Sequence, residues 1–363
     1  MKKLIALALC LIMAMSLFAG CKKAVEEPVV TEAPAATDEP AMEPETTDEP
    51  VAEAAAVKTG IAIVTGVSSS TAAGEEDGAA KTDATIVAVT VDENGVITGC
   101  TIDSLQATIN FSKEGKVTTD AATATFPTKQ ELGASYGMAA VSPIGKEWNE
   151  QVDALAAYCV GKTIDEVKGM ALTESMTPAD ADLAAGCTIH VTGLIDVIAK
   201  AVANAQDLGA AATDMVGIAA VTGMSKSKDA AADAEGVAQA YSTYAAVTVN
   251  AEGKITSCII DAVQANVKFD AAGAITSDLT AAVATKNELG ADYGMAAASA
   301  IGKEWNEQAA AFAAYCVGKT ADEVSATALD ETGLAADADL IASVTIHVGD
   351  FMSVVAKAVA NAK

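Results

Sequence analysis

At 363 residues the chain has room for more than one domain. Its 22 basic residues, every one a lysine, face 49 acidic ones for a net charge of −27, which excludes nucleic-acid binding and removes the guanidinium clamp of many phosphate sites. Hydrophobic residues make up 51% but aromatics only 4%, so the chain is globular with small-residue cores rather than disordered throughout.

Met1-Lys2-Lys3 is a positive start, and Leu4 to Phe18 is an apolar run of about fifteen residues, short for a membrane span. It ends in Leu17-Phe18-Ala19-Gly20-Cys21. Small residues before a cysteine resemble the lipobox of bacterial lipoproteins. The resemblance implies that residues 1–20 are a signal peptide and that Cys21 is acylated and becomes the first residue. The protein would then be held to the cell membrane by lipid, on its extracytoplasmic side. A plain secretory signal and an uncleaved anchor are the alternatives. No later stretch is long and apolar enough to span.

Residues 21–58 read as an acidic, proline-rich, disordered tether. Glu27-Pro28, Asp38-Glu39-Pro40 and Asp48-Glu49-Pro50 punctuate it, with few large apolar residues between them. Such composition buries too little surface to offset ordering entropy, and proline with like-charge repulsion keeps it extended.

Two copies of one module follow, spanning 59–206 and 213–363. Gly145-Lys-Glu-Trp-Asn-Glu-Gln151 returns as Gly302-Lys-Glu-Trp-Asn-Glu-Gln308. The same offset links Thr128 with Thr285, Tyr136 with Tyr293, Tyr158 with Tyr315 and His190 with His347. A period this long is a domain duplication and not a solenoid. In copy one, Thr85 to Val91 is apolar and β-branched, and Glu93-Asn94-Gly95 is a hairpin turn. Val96–Ile102 and Gln106–Phe111 read as two further strands, with a turn at Lys113-Glu114-Gly115 and a polar loop to Pro143. Gly145 to Val160 is helical, with Trp148, Val152, Leu155 and Cys159 on one stripe, matched by Trp305, Ala309, Phe312 and Cys316. Thr163/Glu166 and Thr320/Glu323 have capping-box spacing. Final helices are expected from about Gly193 to Ala205 and Phe351 to Ala362. Antiparallel strands followed by helices make each module an α+β domain.

The cysteines admit two readings. Cys100 with Cys159, and Cys258 with Cys316, would make one disulfide per module, leaving Cys187 over; buried free thiols are the favoured reading, because Cys159 sits on a core stripe. Nothing has zinc spacing, and His190 and His347 read as residues near the start of the last helix rather than as ligands or bases. The tryptophans read as core. The retained Tyr136-Gly-Met and Tyr293-Gly-Met segments read as loops that either hold a ligand or seal the core.

Asp182-Leu-Ala-Ala-Gly186-Cys187-Thr188-Ile-His190, followed by an alanine-rich helix, resembles the end of the FMN-binding domain of bacterial surface flavoproteins. That family carries Asp-x-x-Ser/Thr-Gly-Ala-Thr-x-Ser/Thr, and its threonine receives FMN as a phosphoester from a flavin transferase. Asp182, Gly186 and Thr188 fall at matching spacing, while Ala185, Cys187 and His190 depart. In copy two Asp339 and Thr345 match, but Ser343 and Val344 replace the Gly-Ala pair. The resemblance implies FMN on Thr188, and on Thr345 in the more divergent copy. The glycine would let backbone approach a phosphate or adopt positive φ, and the next helix would offer free N–H groups. The tandem arrangement resembles extracellular electron-transfer lipoproteins, which implies a membrane electron donor. The contrasting expectation is a non-catalytic surface binding or structural module without flavin. Either way the chain reads as a carrier or binder more than a catalyst, since no nucleophile–base constellation appears.

Overall fold

The computed structural model describes residues 54–363, so the signal-peptide, Cys21 and most of the tether readings lie outside the described residues. Strands β1 (Ala56–Gly66), β2 (Gly78–Val91) and β3 (Ile97–Phe111) are followed by helices α1 (Lys129–Leu132), α2 (Trp148–Cys159), α3 (Ile164–Lys168), α4 (Ala181–Ala184) and α5 (Thr192–Ala203). Strand β4 (Gln206–Ala211) leads into the second copy. There β5 (Met215–Gly223), β6 (Gly236–Val249) and β7 (Ile255–Phe269) precede α6 (Lys286–Leu289), α7 (Trp305–Cys316), α8 (Ala321–Ser325), α9 (Ala338–Ile341) and α10 (Gly349–Ala360). Each copy is α+β, an antiparallel sheet followed by helices.

The first sheet has the order β3-β2-β1-β4 and the second β5-β6-β7. The two sheets lie face to face over one shared core. Leu105, Ile109 and Phe111 of β3 meet Ala238, Tyr244 and Phe269 of the other sheet. Phe111 and Phe269 stack with ring centroids 4.2 Å apart and planes 8° from parallel. The alternate residues of each strand point outward beneath helices: Val87, Val89 and Ile102 under α2 and α5, Val247, Val249 and Ile260 under α7 and α10. The result is four layers, helices, sheet, sheet, helices, built by the period-two alternation of strands.

Several polar contacts between the copies come in reciprocal pairs. Lys200 of α5 pairs with Glu288 of α6, and Lys357 of α10 pairs with Glu131 of α1. Gly115 and Gly273, each at the tip of a turn, accept from Ala230 and Ala73 of the opposite copy at 2.7 and 2.9 Å.

The hairpin at Glu93-Asn94-Gly95 forms, with Gly95 at φ 79° and Asp92 N–H donating to Val96 C=O at 2.9 Å. The helical stripe is buried at all eight positions, and both capping boxes form. Several expectations change, and residues 56–58 of the expected tether already belong to β1, paired with β2 and β4. The segments 96–102 and 106–111 are one continuous strand, because the polar pair between them is accommodated rather than expelled. Asp103, 2% exposed, accepts from Ser104 N–H at 2.7 Å and from Gln130 N–H at 3.0 Å, so it serves the first turn of α1. The loop to Pro143 also contains α1, opened by a Thr128/Glu131 capping box. The five cysteines among the described residues are all unbridged. Cys100 lies beside Cys159, and that neighbour together with burial pushes its thiol well above the usual range.

Candidate functional site

Each threonine corner is built around a buried glutamine. Gln308, 0% exposed on α7, accepts at its Oε1 from Thr345 N–H (2.8 Å) and Thr345 Oγ1 (3.2 Å). Its amide nitrogen donates to Ser299 Oγ at 3.2 Å and Lys303 C=O at 3.1 Å. Gln151 repeats this at Thr188, accepting from N–H at 2.9 Å and Oγ1 at 3.1 Å. These glutamines end the seven-residue repeat, so the repeat itself was the signal for them. Gln308→Leu leaves Thr345 N–H and Oγ1 without their acceptor in a half-buried site. We expect about 2 kcal/mol of lost stability, read as a lower urea midpoint. An unchanged midpoint would mean the amide anchors nothing.

The aspartates of the motif stand apart from this arrangement. Asp182 and Asp339 are exposed in the first turns of α4 and α9. The N-caps belong to Asp180, accepting from Asp182 N–H and Leu183 N–H at 3.1 Å, and to Asp337, accepting from Asp339 N–H at 2.9 Å. Gly186 is buried without positive φ. A Cβ there would stand 2.9 Å from Ala154 Cβ, so the glycine admits α2 rather than opening backbone to a ligand. His190 is exposed, its Nε2 2.9 Å from Thr192 Oγ1, just before α5 begins.

In the second copy a cleft of about 500 Å³ opens against Thr345. Its walls come from β6 (Tyr241, Thr243), α6 (Lys286), α7 (Trp305) and the first turn of α10 (Asp350). Lys286 is 4% exposed. Its Nζ donates to Tyr241 Oη at 3.0 Å and lies 4.8, 4.6 and 4.6 Å from the ring centroids of Tyr241, Tyr293 and Trp305. Such a cation over aromatic faces is held by their quadrupoles. Burial pulls the amine down to about 8, against the Asp261 carboxylate, which favours its charged form. Burial, with Tyr293 and Asp350 nearby, pushes the Tyr241 phenol up to about 12, so it stays neutral and accepts from Lys286.

The Tyr-Gly-Met segment both seals and lines. Gly294 takes φ 75°, and Met295 N–H donates to Glu304 Oε2 at 2.8 Å, which brings Met295 to the cleft wall. The tryptophans are core, 6% and 3% exposed, but Trp305 also faces the cleft. The copies differ at five cleft positions, Lys226, Leu334 and Phe351 standing where copy one has Ser69, Thr177 and Leu194. Tyr241 has Asp83 as its counterpart, and Asp350 has Gly193. In copy one Lys129 lies over Tyr136 and Trp148 at 4.7 and 5.0 Å.

These residues fit a flavin in part. The cleft has the volume of a small-molecule site, with ring faces, a cation and the Thr345 hydroxyl on its walls. FMN would supply one- and two-electron transfer; Thr345 would hold its phosphate and the aromatic residues its ring. Asp350 opposes an anion at the start of α10, whereas α5 has no acid in its first turn. Among the described residues no group of three or more His, Cys, Asp or Glu side chains could hold a metal ion, and no helix is long and apolar enough to cross a membrane.

No known family and no solved structure matches the chain. A stretch of 95 residues is 36% identical to a protein of Desulfitobacterium hafniense named chlorophenol reductase. The match covers 22% of this chain and 29% of that protein, so the chain spans under a third of its length.

Proposed function

We propose that the chain is a lipid-anchored, extracytoplasmic electron carrier whose FMN-binding-like modules hold flavin. The observation that carries this reading is the cleft against Thr345, where a hydroxyl, aromatic rings and a lysine converge. The resemblance of both threonine corners to an FMN attachment motif supports it, as does the reductase named among similar proteins. A flavin transferase would load the threonines, and a membrane donor would supply electrons. A tether between lipid and modules would let the carrier reach both donor and outside acceptor.

The test is protein purified from the membranes of its own host. Expected are a flavin absorbance band, acylated Cys21, and an FMN-sized mass increment on the peptide holding Thr345 or Thr188. Colourless protein with both peptides unmodified would leave an anchored binding module and remove the redox reading.

A further inference from the structure

Lys286 is the part of the second-copy cleft that the threonine corner does not explain. It is almost fully buried, yet among the described residues it makes no ion pair. An ammonium carries three donors, and Tyr241 Oη takes one of them. Thr243, 0% exposed, lines the same cleft, and its hydroxyl has no hydrogen-bond partner. Buried polar groups are normally paired, so two under-used groups on one wall point to a missing acceptor. That acceptor sits among aromatic faces, which suits a flat ring. The first turn of α10 disfavours phosphate: Asp350 stands there where copy one has Gly193. The other ionisable groups on the lining are His347 and Lys226, both exposed.

We infer that the second-copy cleft recognises a planar conjugated ring bearing a carbonyl or ionised oxygen, which accepts from Lys286 and Thr243, and that it does so without needing a phosphate. This deepens the reading that the cleft holds a ring cofactor and rests on it. The chemistry is shared by the flavin ring and by quinones. In this cleft the ring supplies recognition and Thr345, when used, supplies only retention.

The test uses the full chain carrying Thr188→Val and Thr345→Val, which removes both attachment hydroxyls. Riboflavin, FMN and a water-soluble naphthoquinone are titrated separately, following tryptophan fluorescence. Riboflavin is expected to bind at least as tightly as FMN. Lys286→Met is expected to weaken riboflavin about tenfold or more, since a charged donor is lost, while Lys129→Met in copy one changes little. Asp350→Asn, an exposed change that spares the core, is expected to strengthen FMN severalfold more than it changes riboflavin. Urea midpoints confirm that each variant is folded. Binding of naphthoquinone without riboflavin would support ring recognition and count against flavin as the cofactor. FMN bound more than about tenfold tighter than riboflavin, or Lys286→Met without effect, would overturn the inference even if the native protein carries attached FMN. No binding of any ring compound would overturn it as well.

Discussion

Gly217→Ala is expected to destabilise the protein by about 3 kcal/mol, near the top of the range for overpacked cores. A Cβ at this position would stand 2.0 Å from the carbonyl oxygen of Ala358 and 3.0 Å from Ala362 Cα. Both are backbone atoms, so no flexible side-chain tip can move aside. The whole of α10 would have to lift from β5, stretching the bond from Asn361 Nδ2 to Ile218 C=O, now 3.0 Å. Since the first turn of α10 walls the cleft, ligand affinity should fall with stability. Gly60 has the same constraint against Ala201 at 2.1 Å. Gly223→Ala on the same strand is the control, because nothing lies within 4 Å of its Cβ position. Equal urea midpoints for the two variants would show that the helix does not rest on Gly217.

Acidification from pH 7 to about 4 is expected to stabilise the protein through Asp103 and Asp261. Burial pushes both carboxyls up to about 6, against about 3.9 in an unfolded chain. A raised native pKa means the folded state binds the proton first. The gain therefore appears as pH falls through 6, is largely present near 4 and is complete only below the unfolded value of about 3.9, where both states are protonated; it is lost again as pH rises. Two units correspond to about 3 kcal/mol per aspartate. Asp261 accepts from Ala262 N–H at 2.8 Å and Asn287 N–H at 3.0 Å, and asparagine keeps that acceptor oxygen. The variant Asp103→Asn/Asp261→Asn should therefore lose most of the rise in melting temperature between pH 7 and 4 that the parent shows. A parent curve that falls through this window while the double variant falls in parallel would show the two carboxyls are not strained by burial.

What was legible in the chain was what faces water on one side. The stripe of α2 and α7 alternates with polar residues, and the capping boxes and hairpin turns are local chemistry. The strands β1 and β5 carry no such contrast. Ile61, Ala62 and Ile63 are all buried because one face meets a sheet and the other a helix. Such segments read as plain apolar runs, and the packing of Gly60 against α5 leaves no local sign. Asp103-Ser104 looked like a break because a buried carboxylate serving a helix 27 residues later in the chain leaves no local sign. Strand β4 occupies part of what the repeat marked as the boundary between the copies; it is recruited by β1, pairing Ala56 with Ala211.

The site was half visible for the same reason. A motif of nine residues placed Thr188 and Thr345 at their corners, since spacing along a chain is local. The cleft is not. Tyr241, Lys286 and Trp305 come from a strand, a one-turn helix and a long helix, and only folding brings them around one lysine. The divergence of Tyr241 from Asp83 and Asp350 from Gly193 was in the chain, but it acquired meaning only once those positions were seen to wall the same space.

The stacked rings of Phe111 and Phe269 mark the centre of a seam that neither copy could close by itself. Cut at Thr213, each half would turn a wall of alanine, valine, isoleucine and phenylalanine toward water, and would have to find a twin. The fused gene product thus behaves as a dimer with its dissociation abolished: both halves melt together, stay in fixed ratio at any dilution, and leave their sequences free to drift apart on the outer faces while the seam holds them to a common shape.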